Sequence, residues 1–215
     1  MKSSIARFLV LVLVLLPAVA PVAAADGRTV LVLGDSLSAA YNLELETGWV
    51  SLLARRLARH RPPYAVINAS ISGDTTAGGR ARLPALLAAH RPAIVVIELG
   101  GNDGLRALAP AQTRANLEAM VRAAQAAGAE VLLLGVRLPP NYGTAYNERF
   151  LQVYRDVARA HDAALVPFLL AGVDDRPSLM QADGIHPTAE AQPRILENVW
   201  AALRPLLEAR AAGGR

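Results

Sequence analysis

The chain of 215 residues has no cysteine and only four histidines, so a nucleophile with a histidine base can be sought by elimination. Ser36 is the first candidate. It closes the stretch Thr29-Val30-Leu31-Val32-Leu33-Gly34-Asp35-Ser36, in which an aliphatic run ends on a glycine and an acid. A hydroxyl becomes a useful nucleophile only beside a base that takes its proton. His60 and His90 each lie in a His-Arg-Pro stop at the end of a predicted helix, and His161 ends another. Side chains at such positions serve the exposed carbonyls and the helix dipole. His186 differs, because it sits in Ala182-Asp183-Gly184-Ile185-His186-Pro187, ahead of the last helix. Asp183 precedes it by three residues, close enough for one turn to bring a carboxylate onto the imidazole. That contact would fix the ring tautomer and stabilise the imidazolium. Acyl transfer also needs donors for an oxyanion. The candidates are the backbone N–H groups of Ser36 and Gly73 and the side-chain amide of Asn102.

These residues need elements to position them. Residues 29–33 read as a strand buried on both faces, since a continuous apolar run closed by glycine fits a parallel sheet. Further strands are predicted at residues 64–68, 93–99, 131–135 and 164–168. Helices are predicted at residues 48–61, 79–89, 110–127, 145–161 and 188–209, the first carrying Trp49, Leu52, Leu53 and Leu57 on one face. Five strands alternating with helices predict an α/β fold with right-handed crossovers and helices on both faces. Ser36, Gly73 and Asn102 then follow strands one, two and three. A strand order 2-1-3 would gather them round one switch point at the C-terminal edge.

Bulk properties narrow the setting. Residues 1–25 combine Lys2 and Arg7, an apolar run, Pro17 and a small-residue tail, the three-part pattern of a cleaved secretory signal. The apolar run is too short for a comfortable span, so no stable membrane anchor is expected. Removal of this segment leaves 20 basic against 18 acidic residues. The arginines are scattered over helices without the clustering a nucleic-acid site requires, and no nucleic-acid partner is expected. A cysteine-free exported chain fits a bacterial periplasm or medium. Residues 26–210 are read as one domain and residues 211–215 as a disordered tail. A monomer is expected.

Together the four segments resemble the SGNH or GDSL hydrolase superfamily. Gly34-Asp35-Ser36-Leu37-Ser38 matches its first block, Gly73 its second, Gly101-Asn102-Asp103 its third and Asp183-Gly184-Ile185-His186-Pro187 its last. Arg137-Leu138-Pro139-Pro140-Asn141-Tyr142-Gly143 is similar to the exported bacterial arylesterase, acyl-CoA thioesterase and lysophospholipase group. The resemblance implies a three-layer α/β/α, flavodoxin-like fold on a five-stranded parallel sheet. It also implies hydrolysis of acyl esters, thioesters or lysophospholipids, with weak protease activity in the group. Ser36, His186 and Asp183 would form the triad, and Ser36, Gly73 and Asn102 the oxyanion hole, with no metal or other cofactor. Residues 75–79 and 138–143 offer apolar and glycine-flexible walls, with Leu105, Pro140, Asn141, Tyr142 and Ile185 as candidate substrate contacts and Gly78-Gly79 as a possible hinge. Carbohydrate O-acetylesterases share the four blocks and form the alternative. Two remoter readings are a metal-dependent phosphohydrolase using Asp35, Asp74, Asp103 and Asp183, and a non-catalytic binding module.

Overall fold

The computed structural model describes residues 28–213; the signal-peptide reading and the last two residues lie outside them. Five parallel strands form one sheet in the order β2-β1-β3-β4-β5. They are Thr29–Gly34 (β1), Ala65–Asn68 (β2), Ile94–Glu98 (β3), Glu130–Leu134 (β4) and Ala164–Val166 (β5). The helices are Trp49–Ala58 (α1), Thr76–His90 (α2), Gly101–Leu105 (α3), Pro110–Ala126 (α4), Thr144–Ala160 (α5) and Gln192–Gly213 (α6).

The near-continuous aliphatic strands β1 and β3 are buried along their whole length because both faces are covered. Successive side chains point to opposite faces. Val30, Val32, Ile94 and Val96 pack beneath Trp49 and Leu53 of α1 and Ile195 and Val199 of α6. Leu31, Leu33, Val95 and Ile97 pack on the other face against Leu83 of α2, Leu117 of α4 and Phe150 of α5. This is the three-layer α/β/α arrangement that the sequence pattern predicts, with β1 between β2 and β3.

Three local differences bear on the site. Helix α2 begins at Thr76, three residues before its expected start, because the Thr75 hydroxyl accepts the Gly78 N–H as an N-cap. Gly78 and Gly79 are thus inside a capped helix turn, and Gly79 is packed so closely against Leu99 that a Cβ would collide. They form no loop hinge. Secondly, the chain enters α3 directly after β3, where a loop was expected. Gly100, at φ 123°, makes that sharp entry in a conformation L-residues rarely adopt. Thirdly, α6 continues as helix through Gly213.

Candidate active site

The C-terminal ends of β1, β2 and β3 carry three loops to one cavity of about 780 Å³. Ser36, Gly73, Asn102 and His186 all line it. The Ser36 loop is held from within: the Asp35 carbonyl accepts the Ala39 N–H at 2.9 Å, and Tyr41 N–H donates to the Ser36 carbonyl at 3.2 Å. Asn68, at the end of β2, donates to the Ser38 carbonyl at 2.9 Å and ties the loop to the sheet.

His186 lies on a short connection braced at both ends. Met180 and Pro187 form an antiparallel bridge, and Gln181 N–H donates to the His186 carbonyl at 2.7 Å. The Gln181 side chain donates to the Pro187 carbonyl at 3.0 Å and accepts from Asn42 at 3.1 Å, joining this connection to the loop after Ser36. The Tyr41 ring lies against the imidazole with centroids 4.4 Å apart.

The result is a continuous hydrogen-bonded row. Asp183 Oδ2 stands 2.7 Å from His186 Nδ1, and His186 Nε2 stands 2.8 Å from Ser36 Oγ. An ionised carboxylate only accepts, so Nδ1 carries the hydrogen and Nε2 presents its lone pair to the serine hydroxyl. Asp183 Oδ1 accepts the N–H groups of Ile185 at 2.9 Å and His186 at 3.0 Å. Partial burial acts to raise the Asp183 pKa. It is outweighed by the hydrogen bonds from the His186 N–H, its ring and the Ile185 N–H, which hold the carboxyl below its ordinary value.

The three oxyanion candidates reach the same cavity but differ in their present partners. Among the described residues, the N–H groups of Ser36 and Gly73 donate to no protein acceptor. Gly73 adopts φ 80°, which turns its amide in a way that suits glycine. Asn102 is engaged instead: its Nδ2 donates to Asp35 Oδ2 at 3.0 Å and to the Asp74 carbonyl at 2.9 Å. Its amide is thus held rigidly at the cavity wall, and a substrate oxygen must share one of those two hydrogens.

Of the expected substrate contacts, Leu105, Pro140 and Ile185 line the cavity. Asn141 and Tyr142 do not. Asn141 is exposed on the turn Pro140–Tyr142, and the Tyr142 hydroxyl donates to the Leu105 carbonyl at 2.9 Å, bracing α3 from behind. The wall is completed by Val136, Leu138, Phe168, Leu170 and Met180. Leu138 belongs to the expected wall at residues 138–143; sequence reasoning missed the other four, since they come from segments after β4 and β5 with no shared spacing. The apolar composition of residues 168–170 was the available signal.

The four aspartates considered for a metal go to separate partners. Asp74 pairs with Arg82 at 2.6 Å, Asp183 with His186, and buried Asp103 accepts from Thr76 N–H and the Thr76 and Thr113 hydroxyls. Asp35 meets Glu98, a residue to which sequence reasoning assigned no role. Asp35 is 2% exposed and Glu98 0%. Burial lifts the Asp35 pKa to about 6, while burial and then the neighbouring Asp35 charge push Glu98 well above its ordinary value. Among the described residues no three His, Asp or Glu side chains converge as a metal-binding group.

Residues 32–193 match the model of the GDSL-like lipase/acylhydrolase family. Esterase TesA of Pseudomonas aeruginosa is 61% identical over 183 residues, covering 85% of this chain and 91% of that protein. Thioesterase 1/protease 1/lysophospholipase L1 of Escherichia coli K12 is 47% identical, covering 86% of this chain and 87% of that protein. Among solved structures, that of TesA superposes with a TM-score of 0.82, covering 83% of this chain and 99% of that one. The psychrotrophic esterase EstA from Pseudoalteromonas sp., inhibited by monoethylphosphonate, is 40% identical with a TM-score of 0.79, covering 84% of this chain and 99% of that one. On its sequence blocks, its sheet order and these relatives, the chain belongs to the GDSL-like lipase/acylhydrolase family.

Proposed function

We propose that this protein is an exported serine hydrolase of acyl esters and thioesters, lysophospholipids among them, with Ser36, His186 and Asp183 as its catalytic triad. The observation that carries this reading is the row Asp183–His186–Ser36, with contacts of 2.7 and 2.8 Å, opening on an apolar cavity. Ser36 Oγ attacks the acyl carbonyl carbon as its proton passes to His186 Nε2. Asp183 keeps the imidazole in the required tautomer and stabilises its cation. The Ser36 and Gly73 N–H groups and the Asn102 amide donate to the oxyanion. His186 then gives the proton to the leaving alcohol or thiol. Water, deprotonated in turn by His186, releases the acid from Ser36. Every proton in the cycle is carried by His186.

The relatives named esterase and thioesterase support the reaction class. The apolar wall of Val136, Leu138, Phe168 and Met180 favours a linear acyl chain over an acetylated sugar. The pattern of residues 1–25 supports export to the periplasm or medium. Among the described residues no helix is long and apolar enough to cross a membrane.

The test is intact-mass analysis after a fluorophosphonate probe on wild type and Ser36→Ala, beside turnover of p-nitrophenyl acyl esters and an acyl-CoA. One adduct, absent from Ser36→Ala, with turnover that rises beyond acetate, is the expected result. A folded wild type giving neither adduct nor turnover overturns the reading. Activity confined to acetyl esters moves the assignment to the O-acetylesterases.

A further inference from the structure

Glu98 is a fully buried acid ending an otherwise aliphatic central strand, and the triad gives it no task. The β1–β3 register sets it opposite Gly34, two residues before Ser36. Gly34 is needed there, since a Cβ would lie 2.7 Å from Ser38 Oγ and 2.9 Å from Glu98 Oε2. Glu98 Oε2 accepts the Ser38 hydroxyl at 2.8 Å and the Asp35 N–H at 3.2 Å. Its other oxygen, Oε1, is buried and receives no donor among the described residues. A carboxylate oxygen left in that state carries buried charge with nothing to offset it, a costly arrangement. A proton on Glu98 would make it a donor, and the Asp35 carboxyl group, whose own N–H meets Oε2, is the neighbouring acceptor.

Asp35 is already committed as an acceptor on both oxygens. Its Oδ1 takes the Leu37 N–H at 3.1 Å and its Oδ2 the Asn102 amide at 3.0 Å. That pattern favours Asp35 as the anion of the pair, because each of its oxygens already accepts a donor while both donors to Glu98 meet Oε2. The other titratable groups acting here are His186, from the connection before α6, and Tyr154 of α5, whose hydroxyl feels Glu98, Asp103 and Asp35. Among the described residues no arginine contributes to either carboxyl group. Two adjacent buried acids without a cation cannot both ionise cheaply, so one proton stays between them.

We propose that Glu98 is a positioning residue: it stays a neutral acid at working pH and donates a hydrogen bond to Asp35. The Asp35 carboxylate in turn holds the Asn102 amide at the oxyanion site and the Leu37 N–H beside Ser36. The nucleophile loop and one oxyanion donor, carried by different strands, are thereby fixed to each other through one buried proton. The catalytic part of this inference rests on the serine-hydrolase reading above; the protonation of Glu98 does not.

The experiment compares wild type, Glu98→Gln and Glu98→Ala. Glutamine can keep every contact of the neutral acid, accepting from Ser38 and Asp35 N–H through its carbonyl and donating to the Asp35 carboxylate through its amide. Infrared spectroscopy of the wild type at pH 7 is expected to show a buried protonated-carboxyl band that shifts in D2O and is missing from Glu98→Gln. Turnover of a p-nitrophenyl ester is expected to fall in kcat by on the order of 10²-fold in Glu98→Ala, as a slightly displaced donor permits. Glu98→Gln is expected to recover kcat to within about threefold of wild type, because the amide restores the geometry. Absence of the band in wild type overturns the proposal, as does a folded Glu98→Gln that is as slow as Glu98→Ala. Should Glu98→Ala fail to fold, the infrared comparison and the kcat of Glu98→Gln decide. A wild type that carries the band yet turns over no ester would refute the hydrolase reading while leaving the shared proton standing.

Discussion

Replacing Asp183 with asparagine tests the triad through its tautomer and leaves its packing in place. The Asp183 Oδ1 contacts to the Ile185 and His186 N–H groups, at 2.9 and 3.0 Å, suit the single carbonyl oxygen of an asparagine. Its NH2 group then falls where Oδ2 stood, 2.7 Å from Nδ1, and points a hydrogen at it. Nδ1 must answer with a lone pair, which puts the ring hydrogen on Nε2, facing Ser36 Oγ at 2.8 Å. In that tautomer the imidazole is a donor toward the serine and is unable to take its proton. The same substitution in a serine-protease triad lowers kcat by about 10⁴-fold, so a loss of that order is expected here. At 1.36 kcal/mol per decade this is about 5.4 kcal/mol of transition-state stabilisation. The assay is kcat for a p-nitrophenyl ester together with the fluorophosphonate labelling rate. Both should fall in parallel, because both need the Ser36 proton removed, while KM stays close to wild type. Retention of more than about a tenth of kcat in a folded Asp183→Asn protein would refute the tautomer argument, whose expected loss is about a thousand times greater.

Three further outcomes follow from the geometry. Asn102→Ala is expected to lower kcat by about 10²–10³-fold, the usual cost of one oxyanion donor, with KM changed less; near-wild-type kcat in the folded variant would remove Asn102 from the oxyanion hole. Gly104 is packed against the Leu138 side chain, so Gly104→Ala is expected to push Leu138 into the cavity; a falling kcat/KM ratio of long to short acyl esters checks this. The last concerns stability and pH. Above about pH 6, where Asp35 has ionised, the folded Asp35–Glu98 pair keeps one proton that the unfolded chain has already released, because the folded pKa values are raised. Wild type therefore loses stability relative to Glu98→Gln as pH rises beyond that value, by about 1.4 kcal/mol per unit while the proton is retained. Urea unfolding at pH 6, 7 and 8 measures the difference; a gap that stays constant or shrinks would contradict proton retention.

The features legible in the sequence are those written in short range. A five-residue apolar run ending in Gly34 declares a buried parallel strand, and the three-residue spacing of Asp183 and His186 places an acid on an imidazole within one turn. Elimination among four histidines rests on the local role that helix-end residues have, visible in their neighbours. Alternation of strands and helices determines the layers, and with them the gathering of the loops after β1, β2 and β3 at one edge. Tertiary structure decided the rest. Glu98 is one acid in Ile94-Val95-Val96-Ile97-Glu98 until the register sets it against Gly34 and Asp35, since strand pairing is a long-range fact. Asn102 was recognisable as a donor, yet its two present acceptors come from residues 28 and 67 positions away in the chain. Tyr142 sits in a loop expected to touch substrate, but its hydroxyl found the Leu105 carbonyl behind the wall. The wall itself joins Val136, Phe168 and Met180, whose proximity depends on how two separate connections, after β4 and after β5, pack. Local spacing sets the chemistry each loop can offer; burial and register determine which groups lose water, which share a proton and which reach the substrate.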